Sequence, residues 1–189
     1  MIGVISDIHS NAFALEKGLS MLRACNVDAI YCLGDLIGYG NEPNEVIALI
    51  KNAGVICVKG NHEKLFIEGD NREKYNFPYT RNTLTEEHFD FLYNLPEEIL
   101  IDSARIIMTH GFPGEIHRYF YANSDFDDIK NFKYQRIFLG HTHYPMMASY
   151  YDKKIINPGS LGQSRDGNPN GSFLICDMDK DIYEFRRLQ

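Results

Sequence analysis

Five short polar strings in this chain carry side chains suited to holding metal ions: Asp7-Ile8-His9, Gly34-Asp35, Gly60-Asn61-His62-Glu63, His110-Gly111 and Gly140-His141-Thr142-His143. In a strand or its exit, residues two apart point the same way, so Asp7 and His9 can reach one ion while Ile8 turns inward. Asp35, with Gly34 permitting close backbone approach, could bridge two cations. Asn61 offers a neutral carbonyl oxygen, whereas His62 points away from that ligand and is free to move a proton. His141 and His143 repeat the spacing with two imidazoles, which suit first-row transition metals better than Mg²⁺ or Ca²⁺, and His110 adds one more. Each string alone has an ordinary reading. Asp35 is also a turn carboxylate, and Asn61 is also a helix N-cap with His62 exposed at the helix start. Joint occurrence is the specific signal.

Each string follows a short apolar run: Ile2 to Ile5, Ala29 to Leu33, Val55 to Val58, Ile106 to Met108 and Ile137 to Leu139, all strand-like in length and β-branched content. In open α/β sheets the ligand crevice lies at the carboxyl ends of the strands, so the five strings should converge. Between the first runs, Ala12, Leu15, Leu19 and Leu22 make one helical stripe, and a second helix runs from Pro43 to a stop at Gly54. That βαβαβ order implies parallel strands with right-handed crossovers. Glu63 to Tyr79 is polar and aromatic and is expected to be irregular or partly helical, facing the substrate. A third helix is expected over Thr85 to Leu95. Beyond it the chain is strand-rich and expected to be antiparallel (99–101, 105–109, 136–139, 146–151, 154–156, 172–176 and 182–185), with turns at Asp152-Lys153 and Met178 to Asp181 and a short helix near Asp125 to Phe132. Two sheets packed face to face with helices outside, an α/β sandwich, is the architecture this order supports.

The 189 residues, 44% hydrophobic and 13% aromatic, suffice for one sizeable core, so a single domain over 1–189 is expected. A net charge of −7 argues against a general nucleic-acid binder. Cys25, Cys32, Cys57 and Cys176 show no metal-type spacing and read as reduced core thiols, which together with the lack of a leader-like or membrane-length apolar segment points to the cytoplasm. Of the two histidines outside the strings, His88 reads as a solvated helix residue and His117 as a surface-loop residue.

The order of these strings, from Asp7 to the turn Asn157-Pro158-Gly159-Ser160, resembles the calcineurin-like metallophosphoesterase superfamily, small prokaryotic type. The resemblance implies a four-layer α/β/β/α sandwich of two mixed sheets and a pair of divalent transition-metal ions, Mn foremost, with Fe, Zn or Ni as alternatives. It implies that Asp7, His9 and His143 hold one ion, that Asn61, His110 and His141 hold the other, and that Asp35 bridges them. His62 matches the acid that protonates the leaving oxygen. A phosphodiester or phosphomonoester of a small molecule would then be hydrolysed by in-line attack of a metal-bridging hydroxide. Two dications less two Asp charges leave about two positive charges to hold the ester. Asn11 falls where small members place an Asn near the phosphate, although it equally suits a helix N-cap.

Departures from the pattern bear on the substrate. Gly34-Asp35-Leu36-Ile37-Gly38-Tyr39-Gly40 lacks the arginine that protein phosphatases of the superfamily place after the bridging Asp. Arg165 is the one candidate substitute, with an exposed pairing to Asp166 as the other reading. A nuclease acting on strand ends and a non-catalytic interaction module are the rival functions. The acidic balance counts against the first, and the presence of His62 against the second. No membrane contact or stable nucleic-acid complex is expected, and self-association is left open.

Overall fold

Along β1 (Ile2–Ile5) successive side chains face opposite ways, so Val4 enters one apolar cluster and Ile5 another. The same split runs through the neighbouring strands and builds the layers. The computed structural model describes residues 1–189. One sheet has the order β10-β9-β1-β2-β3 and the other β4-β5-β6-β8-β7. In the first, β1, β2 (Ala29–Cys32) and β3 (Ile56–Cys57) are parallel, while β9 (Ser172–Asp177) runs antiparallel to β1 and to β10 (Ile182–Arg187). In the second, β5 (Ile106–Thr109), β6 (Arg136–Phe138) and β8 (Lys153–Pro158) are parallel, with β4 (Glu98–Ile101) and β7 (Pro145–Tyr150) antiparallel at the edges. Both sheets are therefore mixed.

Val4, Leu33, Val58, Leu174 and Cys176 of the first sheet and its strand exits meet Ile106, Met108, Phe138 and Ile156 of the second in the cluster between the sheets. Ile5, Cys32, Cys57, Phe173 and Ile175 face the other way, against the helices. There α1 (Ala12–Ala24) buries Ala14, Leu15, Leu19 and Leu22, and α2 (Pro43–Ala53) buries Val46, Ile47 and Ile50. Pro43 suits the first turn of α2 because its ring fixes φ, and Gly54 ends the helix in a left-handed conformation at φ 64°. On the outer face of the second sheet, Ile107, Ile137 and Ile155 pack on Phe112, Phe120, Ile129 and Tyr134. That fourth layer is loop with one 3₁₀ turn, Asp127–Ile129, rather than long helix.

Several elements differ from the sequence-based expectation. The 63–79 stretch is not one of these, being partly helical as expected: α3 (Asn61–Ile67), a 3₁₀ turn (Glu73–Tyr75) and the start of α4 (Phe77–Thr83). The second half is not antiparallel throughout: the long 110–135 connection returns the chain so that β6 runs with β5, and β7 then reverses at a hairpin so that β8 runs parallel to β6. The hairpin before β8 turns at Tyr151-Asp152, not Asp152-Lys153. Tyr151 takes the left-handed position at φ 53°, and Lys153 is already in the strand, donating from its buried Nζ to the Phe132 carbonyl at 2.6 Å. The third helix, α5 (Glu86–Tyr93), starts after Thr85, whose side chain accepts from the His88 amide. His88 is half-buried, with Nδ1 2.7 Å from Asn44 Oδ1, so it is not the solvated residue its helix position implied. All four cysteines are free, with Cys32, Cys57 and Cys176 buried as expected. No helix is long and apolar enough to cross a membrane.

Candidate metal centre

The five polar strings leave β1, β2, β3, β5 and β6 at their carboxyl ends and meet in one place. Their backbones are knitted before any side chain is considered. The amides of Asp7 and of Ile8 and His9 donate to the Gly34 and Asp35 carbonyls, respectively. Ser160 Oγ donates to the Asp7 carbonyl at 2.7 Å, and Asn157 Nδ2 donates to the Gly140 carbonyl at 2.6 Å. The Asn157 to Ser160 turn thus ties the β1 exit to the β6 exit.

Asp7, His9, Asp35, His141 and His143 all hold positive φ, between 52° and 68°. Non-glycine residues pay on the order of 1 kcal/mol or more for that conformation, and it persists where the surrounding fold over-determines it. It also revises how Asp7 and His9 come to share a side. β1 ends at Ile5, and left-handed turns rather than strand alternation aim both inward, with Ile8 fully buried in the core as expected.

The side chains fall into groups around Asp35. Asp7 Oδ1 lies 3.3 Å from His143 Nε2 and 3.9 Å from His9 Nε2, and the two imidazole nitrogens are 3.0 Å apart. On the other side, His110 Nε2 lies 2.9 Å from Asn61 Oδ1 and 3.2 Å from His141 Nδ1. Asp35 spans them, with Oδ2 3.7 Å from His9 Nε2 and Oδ1 3.4 Å from His110 Nε2. The structure therefore sends His141 and His143 to different groups, although their spacing alone would have sent them to one. Asn61 is the first residue of α3, with Gly60 as the cap, so its amide is not consumed in capping.

Backbone carbonyls fix the imidazoles. His9 Nδ1 meets the Ile37 carbonyl, His110 Nδ1 that of Leu33, His143 Nδ1 that of Gln163, and His141 Nε2 that of His117. Each carbonyl accepts a hydrogen bond from the ring N–H, which leaves a lone pair on the inward nitrogen. Lone pairs facing each other at 3.0 Å and 3.2 Å, with Asn61 Oδ1 and the unpartnered Asp7 Oδ1 beside them, repel unless a cation lies between. This donor set fits divalent metal, with Asp7, His9 and His143 as one candidate ligand group and Asp35, His110 and His141 as another.

Burial pushes His62 and His110 down to about 3 and His141 and His143 to about 4, with neighbouring histidines adding to the effect on His62. Burial pushes Asp7, Asp35 and Glu63 up. Neutral imidazoles are the form that binds metal, and a dication would hold the carboxylates ionised. His62 stands apart from the carbonyl-tied set. Its Nε2 is 3.9 Å from Asp35 Oδ2, its Nδ1 has no partner, and its ring is boxed by Tyr39, Tyr75 and Phe77.

Glu63 had no role in the sequence reading. It is fully buried and accepts from the amides of Asp35 at 2.9 Å, Ile37 at 3.1 Å and Gly60 at 2.8 Å, fastening the Asp35 loop to the start of α3. Its position three residues after Gly60 was the available signal, a capping-box spacing. His117 is exposed, as read from sequence, yet its carbonyl orients His141. Asn11 lines the adjoining cavity of about 570 Å³, but its Oδ1 caps α1 through Ala14 and its Nδ2 donates to Gly162. Arg165 is exposed at the mouth and donates to Tyr39 Oη and Gln163 Oε1, each at 3.2 Å. Asp166 pairs with Arg187 instead.

Residues 1–181 match the calcineurin-like phosphoesterase superfamily domain. The chain belongs to this superfamily. An uncharacterized protein of Methanocaldococcus jannaschii is 35% identical, with 96% of this chain and 84% of that protein aligned. A probable metallophosphoesterase of Methanothermobacter thermautotrophicus is 28% identical over 95% of this chain and 88% of its own. The crystal structure of a metallophosphoesterase from Sphaerobacter thermophilus superposes with a TM-score of 0.86 at 31% identity, covering 100% of this chain and 87% of that one. Superfamily membership supports hydrolysis of phosphoric esters and implies divalent metal ions at the His/Asp groups.

Proposed function

We propose that the chain is a dinuclear-metal-dependent phosphoesterase acting on a phosphodiester or phosphomonoester of a small molecule. The observation that carries this reading is the pair of imidazole contacts, His9 to His143 and His110 to His141, held lone pair to lone pair on either side of Asp35. Asp7, His9 and His143 would hold one ion, Asn61, His110 and His141 the other, and Asp35 would be shared. Such ions supply Lewis-acid charge for the phosphoryl oxygens and bring the pKa of water toward neutrality.

The chain's own residues then set direction. His62 presents Nε2 on the Asp35 side of the site and is the proton donor to the leaving oxygen. Burial holds it down to about 3 in the free protein, and the charge of a bound phosphoryl group is what would bring it back toward protonation. Arg165, tethered at the rim by Tyr39 and Gln163, is the phosphate contact in place of the arginine missing after Asp35. Asn11 is a weaker choice for that contact because both its polar atoms are already engaged.

The deciding experiment combines metal analysis of the purified protein with turnover of a chromogenic diester and monoester by wild type and Asp35→Asn. We expect metal-dependent hydrolysis that collapses in the variant. Full activity after exhaustive chelation, or an unimpaired Asp35→Asn, would sink the dinuclear mechanism.

A further inference from the structure

The loop after β5 delivers Tyr119 and Tyr121, and the loop after β6 delivers Tyr144, three tyrosines beside the site that the hydrolytic reading does not use. Tyr119 lies flat on His141, with ring centroids 3.9 Å apart and planes 12° apart. Tyr121 continues that direction, its plane 15° from that of Tyr119 with centroids 5.8 Å apart. Tyr144, directly after the candidate ligand His143, stands across Tyr121 at 70° with centroids 6.3 Å apart, so the two rings form an open corner.

Burying these rings in the core would be the ordinary use of three aromatics, and this fold does not do so. Tyr119, Tyr121 and Tyr144 are 46%, 39% and 43% exposed. None of their hydroxyls has a protein partner among the side-chain hydrogen bonds, in contrast to Tyr39, Tyr134, Tyr150 and Tyr183. The row of rings starts on the imidazole of His141, a candidate ligand, and continues through Tyr121 to Tyr144. An ester held at the ligand groups would have this exposed aromatic surface, with its free hydroxyls, next to one side of the site.

We propose that Tyr119, Tyr121 and Tyr144 form a stacking subsite for the nucleobase of a mononucleotide-type phosphoester. The inference rests on the phosphoesterase reading and adds a substrate class to it. A planar base matches the parallel rings in shape, and its polar edge matches the unpaired hydroxyls. Aromatic side chains hold a base by stacking whatever its identity, because every base has a π-face. The net charge of −7, with Arg165 as the cation at the mouth, gives no track for further phosphates, which favours a single nucleotide unit over a strand.

The test is calorimetric titration of the Mn²⁺-loaded protein with thymidine 5′-phosphate and with 2-deoxyribose 5-phosphate, in which a hydroxyl replaces the base at C1. The nucleotide should bind about tenfold more tightly. Tyr121→Leu and Tyr144→Leu, which keep bulk and remove the ring, should abolish that preference while leaving 2-deoxyribose 5-phosphate unchanged. Equal affinity for the two ligands, no binding of either, or variants that weaken both alike would overturn the subsite. Failure to hydrolyse both a chromogenic diester and a chromogenic monoester, despite a retained preference for the nucleotide, would refute the phosphoesterase reading and leave the stacking subsite standing.

Discussion

Asp35 touches both halves of the site, and the residue that holds Asp35 is Glu63. A fully buried carboxylate accepting three amides is expensive to remove, because truncation leaves three donors facing a void. Glu63→Ala should cost about 2–4 kcal/mol on that basis, and a urea midpoint indistinguishable from wild type would refute the role. His62 makes a different prediction, one that depends on the leaving group. General acids contribute about 10²–10⁴-fold where the departing oxygen needs a proton. His62→Asn should therefore lose at least about 10²-fold on a diester with an alkoxide leaving group and far less on a p-nitrophenyl ester. Equal losses on both would argue against proton donation. The ligand types were legible in the sequence because histidine and carboxylate strings after apolar runs are few. Glu63 was not, since its work is done on backbone amides that only the folded loop brings together.

At the level of elements, the Asp35 to Gly40 connection between β2 and α2 does the shaping. Gly38 sits at φ 92°, and a Cβ built there would lie 2.0 Å from His62 Nδ1. Glycine is thus required twice over, for the backbone conformation and for the imidazole packed against it. Gly38→Ala should displace His62 and lower kcat by about tenfold or more while the metal content stays that of wild type, given how steeply small misplacements of a reacting group cost rate. Unchanged kcat would show that His62 does not need this packing. The α1 stripe and the Pro43 to Gly54 helix were readable because their spacing, proline start and glycine stop are local signals. The parallel β5-β6 pairing was not, because strand direction there depends on the path of the long 110–135 connection, which carries no periodic pattern. The helical character of 61–83 was half-hidden for a related reason. Its turns are short and are held by Phe66 and Phe77 packing on the core rather than by an extended stripe.

Across the whole molecule, the site is a concentration of buried titratable groups that the fold supports at a cost. Below the ordinary histidine value of 6.5 the unfolded chain takes up protons that the buried imidazoles refuse until about 3 or 4. The unfolded state then binds more protons, so stability falls as the pH falls through that window, by up to about 1.4 kcal/mol per pH unit for each such group. Asp7, Asp35 and Glu63, raised by burial, act in the opposite sense and make neutral pH the costly side for them. Divalent metal relieves both tensions, because it binds neutral imidazole and ionised carboxylate and releases any proton that either must lose. Metal should therefore stabilise the fold more at pH 7.5 than at pH 5. At one hundred times the dissociation constant a single site contributes about 2.7 kcal/mol, roughly 5–10 °C in melting temperature for a chain of this size. Thermal denaturation of chelated and Mn²⁺-supplemented protein at the two pH values measures this directly, and melting temperatures that coincide at both would mean that the histidine and carboxylate cluster does not couple metal to the fold.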